Sequence, residues 1–129
     1  MEIILLVGHG SPEKEADSTG FVAERVHEML HPSCSKNCVR VAYLQFMDPG
    51  LPEAIKNAVS DGADKIIIHP FLLSSGFHVT KNIPEIIKEV RSLYRDVDII
   101  YTEPLGSHDK LAEVVVERIK ESTDLENES

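Results

Sequence analysis

Four apolar runs of strand length alternate with four segments of helical period along these 129 residues, and that alternation limits the fold more tightly than any other feature. A strand covered on both faces reads as a continuous apolar run, whereas a helix packed on one side repeats apolar residues at three- and four-residue spacing. The runs are Ile3 to Val7, Val39 to Phe46, Lys65 to Leu72 and Val97 to Thr102. The helical stripes are Phe21, Val22, Val26, Met29 and Leu30; Leu51, Ala54, Ile55, Ala58 and Val59; Ile83, Ile86, Ile87, Val90 and Tyr94; and Leu111, Val114, Val115 and Ile119. Each stripe is expected to bury against the sheet. The turns "DPG" at 48–50 and "DGAD" at 61–64 carry residues that turns and helix ends prefer.

Strict β-α alternation selects an α/β fold with a parallel sheet and helices on both faces. Right-handed crossovers leave few arrangements, and the expected one is a three-layer, doubly wound, four-stranded sheet in the flavodoxin-like order 2-1-3-4. A single domain is expected over residues 1–121. Residues 122–129, acidic and nearly without apolar side chains, are expected to be a disordered tail.

The order 2-1-3-4 makes strands 1 and 3 neighbours whose helices leave on opposite faces, so a crevice opens at their carboxyl ends. Two histidines follow those ends. "EIILLVGHGS" (2–11) closes on His9, and "KIIIHPFLLSSGFHVTKNIP" (65–84) carries His78 just beyond its apolar run. Two neutral imidazoles across a crevice suit a borderline divalent ion such as Co, Ni, Fe or Zn, and suit Mg or Ca poorly. Two protein ligands leave several coordination positions open, which fits an ion that is bound, presented and released. Gly8, Gly10 and Gly76 remove side chains, so that something broad and flat can approach the backbone. Ser11, Ser74 and Ser75 add hydroxyls, and nearby helix N-termini offer N–H groups to carboxylates.

Composition narrows the partner. Lys and Arg number 13 against 22 Asp and Glu, a formal charge of -9, which argues against binding nucleic acid through its phosphates. No apolar run reaches the roughly 18 residues of a membrane span, and "MEIILLVG" reads as a first strand and not as a signal peptide. The cytoplasm is the expected compartment, where Cys34 and Cys38 would be reduced. With His27 and His31 they form H-x3-H-x2-C-x3-C, a pattern that admits a four-ligand zinc site. The competing reading is a helix end and loop that contain thiols. His69, inside the third run, fits a core or supporting role, and His108 fits the surface start of the fourth helix.

The motifs "LLVGHGS", "PGLPEAI" (49–55), "HPFLLSSGFHVTKNIPEI" (69–86) and "TEPLGSHDKL" (102–111) occur in an order that resembles the short, single-domain sirohydrochlorin chelatases of the CbiX type, of the class II chelatase family. The match runs from about residue 3 to residue 120. The resemblance implies a chelatase-like fold and insertion of a divalent metal into the tetrapyrrole sirohydrochlorin, usually Co(II) for cobalamin, with Ni(II) or Fe(II) as alternatives. The metal is then a substrate, and no further cofactor is expected. The resemblance also implies that His9 and His78 are the metal ligands and the bases for the pyrrole protons. Gly8, Gly10, Ser11, Gln45, Ser74, Ser75, Gly76, Phe77, Val79 and Thr80 are expected to line the tetrapyrrole site, with Asp48, Lys81 and Glu103 as auxiliary groups. Many relatives carry a Glu where this chain has Gln45 in "LQFMDPG", so an anionic third ligand is excluded at that position. Glu103 would shuttle protons or orient a group. A half-length chain of this kind is expected to complete its cleft as a homodimer, with Phe46, Met47, Phe71 and Phe77 near the shared wall.

A different class of function stays open. A phosphohistidine transfer module, resembling the mannose-type sugar-transport IIA domain, would use His9 alone and leave His78 incidental. A histidine phosphatase would want an Arg directly before the His-Gly pair, and that residue is Gly8.

Overall fold

The computed structural model describes residues 1–13, 17–31, 37–73 and 82–123. Four strands and four helices alternate: β1 (Glu2–Gly8), α1 (Thr19–Leu30), β2 (Val39–Tyr43), α2 (Leu51–Ser60), β3 (Lys65–Pro70), α3 (Ile83–Leu93), β4 (Asp98–Tyr101) and α4 (Asp109–Ser122). The sheet is parallel throughout, in the order β2-β1-β3-β4. Leu5 of β1 lies opposite Arg40 of β2 and Ile68 of β3. This is the architecture that the alternating pattern predicts, with β1 and β3 adjacent.

β1 is buried from Ile3 to Gly8 because helices cover both of its faces. On one face Ile3, Leu5, Val7, Ile66, Ile68 and Ile99 pack under α2 and α3, which contribute Leu51, Ala54, Ile55, Ala58, Ile83, Ile87 and Val90. On the other face Ile4, Leu6 and Val39 pack under Ala23 of α1, with Val22, Val26, Ile67 and Phe71 at the margin. Gly50 caps α2 with Pro52 in its first turn, and Gly62 follows α2 at a φ of 102°.

Two expectations need correction. β2 stops at Tyr43, not Phe46, because the chain turns there: Phe46 takes a φ of 66°, in the left-handed region, and Asp48–Pro49 is a cis peptide bond. Two of the four helical stripes are not buried as expected. Phe21, Met29 and Leu30 of α1 are 66%, 82% and 59% exposed, and Val114, Val115 and Ile119 of α4 are 43–56% exposed. α1 meets the sheet through Thr19 and Ala23 with Val22 and Val26 beside them, while none of the residues of α4 is buried. Of the described helices, none is long and apolar enough to cross a membrane.

Candidate functional site

β1 ends at Gly8 and places His9, exposed, on the carboxyl rim of the sheet at the point where the strand order reverses. The segment after β2 is tied to it. Leu44 donates its amide to the carbonyl of Gly8 at 3.1 Å, and Gln45 donates to the carbonyl of His9 at 3.2 Å. The side chain of Gln45 turns back onto the ring, with Nε2 of Gln45 lying 2.9 Å from Nε2 of His9. As placed, the carboxamide donates and the ring nitrogen accepts through its lone pair; turning the amide would present its oxygen to a protonated ring. Gln45 therefore sits over the atom through which His9 would take a metal or a proton.

Gly10 is needed for this approach. Its φ is +93°, and a Cβ there would run into the carbonyl oxygen of Gln45. Phe46 follows, 63% exposed on the same rim. Beneath His9 lies a small polar network that sequence reasoning missed. Thr19 is fully buried against Gly8, where a Cβ would collide with the Thr19 hydroxyl. That hydroxyl donates to Oδ1 of Asp17 at 2.7 Å. The phenol of Tyr43 is pushed up to about 12, first by burial and then by its hydrogen bond to Asp17 and by that carboxylate's charge. The only sequence trace of this network is the glycine at position 8, whose missing side chain makes room for Thr19.

Other expected site residues fall variously. The hydroxyl of Ser11 accepts from the amide of Glu13 at 3.1 Å, and Asp48 is exposed in the turn that leads to α2. Glu103 follows β4, two strands from β1, and twice the interstrand spacing is roughly 10 Å, so it does not touch His9 directly. Its charge acts on Tyr101, whose phenol is raised by burial first and by Glu103 second. His78, Ser74, Ser75, Gly76, Phe77, Val79, Thr80 and Lys81 lie outside the described residues, as does Cys34.

Of the other described histidines, His27 and His31 lie at the C-terminal end of α1, His69 is in β3 and His108 opens α4. Nδ1 of His69 is 2.8 Å from Oγ1 of Thr102, and burial pushes its pKa down. His108 caps α4, accepting from the amide of Lys110 at 3.1 Å. Nδ1 of His31 is 3.6 Å from Sγ of Cys38, and its Nε2 is 3.5 Å from Glu2. Nε2 of His27 is buried without a hydrogen-bond partner. Among the described residues no three His, Cys, Asp or Glu side chains come together as a metal cluster. A cavity of about 590 Å³ opens at the outer edge of β2 instead, lined by Gly20, Glu24, His27 and Glu28 of α1, Arg40 of β2 and Asn57 of α2.

Comparison with known proteins gives the family and the fold. The CbiX family profile matches residues 3–122. The chain is 34% identical to the sirohydrochlorin cobaltochelatase of Saccharolobus solfataricus over 92% of this chain and 94% of that protein. It is 29% identical to the sirohydrochlorin cobaltochelatase of Methanopyrus kandleri, over 95% and 97% respectively. Among solved structures, the sirohydrochlorin chelatase SirB of Bacillus subtilis subspecies spizizenii, in complex with cobalt, superimposes with a TM-score of 0.77 at 29% identity. That match covers 93% of this chain and 50% of SirB. A putative cobalamin biosynthesis CbiX protein from Marinobacter aquaeolei VT8 shares the fold along nearly its whole length, with a TM-score of 0.73.

Proposed function

The chain belongs to the CbiX family, and from that premise we propose that it is a sirohydrochlorin cobaltochelatase, inserting Co(II) into sirohydrochlorin. The observation that carries this reading is the exposed His9 on the carboxyl rim at the reversal point of the sheet, with Gln45 against its ring; the spaces beside Gly8 and Gly10, expected to admit a flat ligand, are filled by Thr19 and by the carbonyl of Gln45. A phosphohistidine module would need the same histidine, but the similarity to proteins named sirohydrochlorin cobaltochelatase favours the chelatase reading.

In this reading His9 and His78 bind the ion as substrate through neutral imidazoles and present it to one face of the macrocycle. Insertion breaks two pyrrole N–H bonds as the ring nitrogens displace water from the metal, and the protons pass to imidazole or solvent. Gln45 leaves Nε2 of His9 when the ion arrives and, by turning its amide, serves the protonated ring afterwards. Phe46 supplies an apolar edge for the ring. Ser11 and residues 74–80 line the macrocycle, while Lys81 and helix N-termini meet its carboxylates. Asp48 and Glu103 act through solvent. Nickel and iron fit the same imidazole pair, since their affinities follow a general order more than a site signature. The reaction is placed in the cytoplasm. One crevice offers too little wall for a broad macrocycle, so a second copy of the chain completes it as a homodimer.

The test is a spectral assay of sirohydrochlorin with Co(II), Ni(II) and Fe(II) in turn. Insertion with Co(II) fastest is expected, and His9→Ala or His78→Ala should each lower the rate by roughly 10²–10⁴-fold with the melting temperature little changed. Full activity in both single variants would overturn the assignment of these ligands.

A further inference from the structure

β2 stands at the end of the strand order, so one of its edges faces no strand. Its inner edge is paired: the amide of Ile4 donates to the carbonyl of Cys38 at 2.8 Å, and the amide of Leu44 donates to the carbonyl of Gly8 at 3.1 Å. Main-chain groups alternate in direction along a strand, so residues 38, 40, 42 and 44 point theirs toward β1, while Val39, Val41 and Tyr43 point theirs outward. Tyr43 has a partner on that outer side. Its amide donates to the carbonyl of Pro49 at 2.9 Å, and it forms a parallel bridge with Gly50. Among the described residues nothing pairs with the outward amides and carbonyls of Val39 and Val41. The chain begins an additional strand against β2 and then leaves it, with the edge still open below.

The cavity of about 590 Å³ runs along this open stretch, with α1 as one wall and α2 as the other. Small residues keep the walls apart: Gly20 and Ala23 on α1, Ala54 on α2. A Cβ built on Gly20 meets nothing within 4 Å. A strand edge recessed between two helices is closed to the flat edge of another sheet, but it admits one extended chain at the usual interstrand spacing of about 4.8 Å. The two walls differ in charge. On α1, Glu24 and Glu28 stand one turn apart and are both exposed, and Glu28 also meets Arg25 at 3.0 Å. Between them is His27, whose Nε2 is buried without a hydrogen-bond partner. On α2 the lining residues Ala54 and Asn57 are uncharged. Arg40, the positively charged residue of the lining, is already taken by Asp61 at 2.8 Å and by the carbonyl of Asn37 at 2.6 Å.

We propose that this slot binds an extended, basic segment of another protein by strand addition to β2. The main chain of the segment pairs with Val39 and Val41, which supplies affinity without regard to sequence. Its side chains alternate between the two walls. Those turned to α1 are Lys or Arg, because they meet Glu24 and Glu28, and those turned to α2 are small and apolar, because Ala54 and Asn57 leave a shallow uncharged wall. A second copy of this chain does not fit the same description. Pairing two β2 edges would bring Glu24 and Glu28 of each copy together, and each copy carries a formal charge of -9, so charge opposes that occupant and favours a basic one. The added strand need be no longer than β2 itself, five residues.

The test uses the full chain without metal or tetrapyrrole, so its outcome is independent of the chelatase reading. A capped Lys-Val-Lys-Val-Lys peptide is titrated in, with Glu-Val-Glu-Val-Glu as the control, and amide exchange is followed residue by residue. The basic peptide should slow exchange at Val39 and Val41 by about tenfold or more while the control leaves both unchanged. Changing Glu24→Lys and Glu28→Lys together should weaken binding of the basic peptide by about tenfold, as attractive pairs become repulsive ones. Gly20→Leu should abolish binding by filling the slot, and it keeps the fold, since the added carbon meets nothing and a helix takes leucine better than glycine. Unchanged exchange at Val39 and Val41 with the basic peptide in excess would overturn the proposal. So would equal protection by both peptides, or protection that rises with protein concentration in the absence of peptide, which would make a second copy the occupant.

Discussion

At the scale of single residues, the described part of the rim holds one position where the chain accepts a cost. Phe46 is a non-glycine residue at a φ of 66°, and the left-handed region costs an L-residue roughly 1–2 kcal/mol. Its ring is 63% exposed and so recovers little by burial. Strain combined with an exposed aromatic side chain beside Gln45 and His9 points to a use in binding. Replacing it with glycine should relieve the strain at about the cost in chain entropy of the glycine itself, roughly 0.5–1 kcal/mol, so the melting temperature should barely move. The KM for sirohydrochlorin should rise by about tenfold, the equivalent of one aromatic contact of roughly 1–1.5 kcal/mol. An unchanged KM in the Phe46→Gly enzyme would remove Phe46 from the site. His9 was legible in the sequence because Gly-His-Gly closes an apolar run, whereas the contact with Gln45 was not. Nothing in "YLQFMDPG" says that Gln45 turns back onto β1; the left-handed Phe46 and the space over Gly10 decide it, and both depend on the folded backbone.

At the scale of elements, the strands and the helices α2 and α3 could be read from the chain because an apolar run or stripe covered in its own subunit states its burial directly. Leu51, Ala54, Ile55 and Ala58 are buried as their spacing implies. The stripes of α1 and α4 show the limit of that reading. Period identifies the apolar side of a helix but not what lies against it, so Met29 and Val115 looked like core residues and are exposed. The junction of β1, β2 and α1 was equally hidden, because Asp17, Thr19 and Tyr43 meet only after three elements have packed under Gly8. That network predicts a pH dependence. The phenol of Tyr43, near 10 in an unfolded chain, stands at about 12 in the fold. A raised acid pKa means that the neutral phenol contributes stability fully below about pH 10, and that this contribution is lost as pH rises through about 12. Unfolding free energy of the wild type should therefore fall more steeply between pH 10 and 12 than that of Tyr43→Phe, by a difference on the order of 2 kcal/mol. Equal slopes in chemical denaturation across that window would mean that Tyr43 does not hold its proton against Asp17.

At the scale of the whole molecule, charge sets a problem that the local site has to solve. The chain carries 22 acidic against 13 basic residues, a formal charge of -9, and in the proposed reaction it must take up a polycarboxylate macrocycle. At low ionic strength the field of the whole surface reaches a carboxylate from far off, since the screening length is about 30 Å at 0.01 M salt and about 8 Å at 0.15 M. Short-range donors at the rim are close enough to act at either concentration, whereas long-range repulsion is confined to the dilute one. Added salt should therefore help binding. For the metal ion the sign reverses, because a negative surface attracts a divalent cation and salt weakens that attraction. The two substrates thus separate the two fields. The KM for sirohydrochlorin should fall several-fold as sodium chloride rises from about 0.01 to 0.15 M, while the KM for Co(II) rises over the same range. A tetrapyrrole KM that rises with salt would show that a basic surface steers the macrocycle in, and the donors at the rim would then have to belong to a far more positive patch than His9, Gln45 and their neighbours supply.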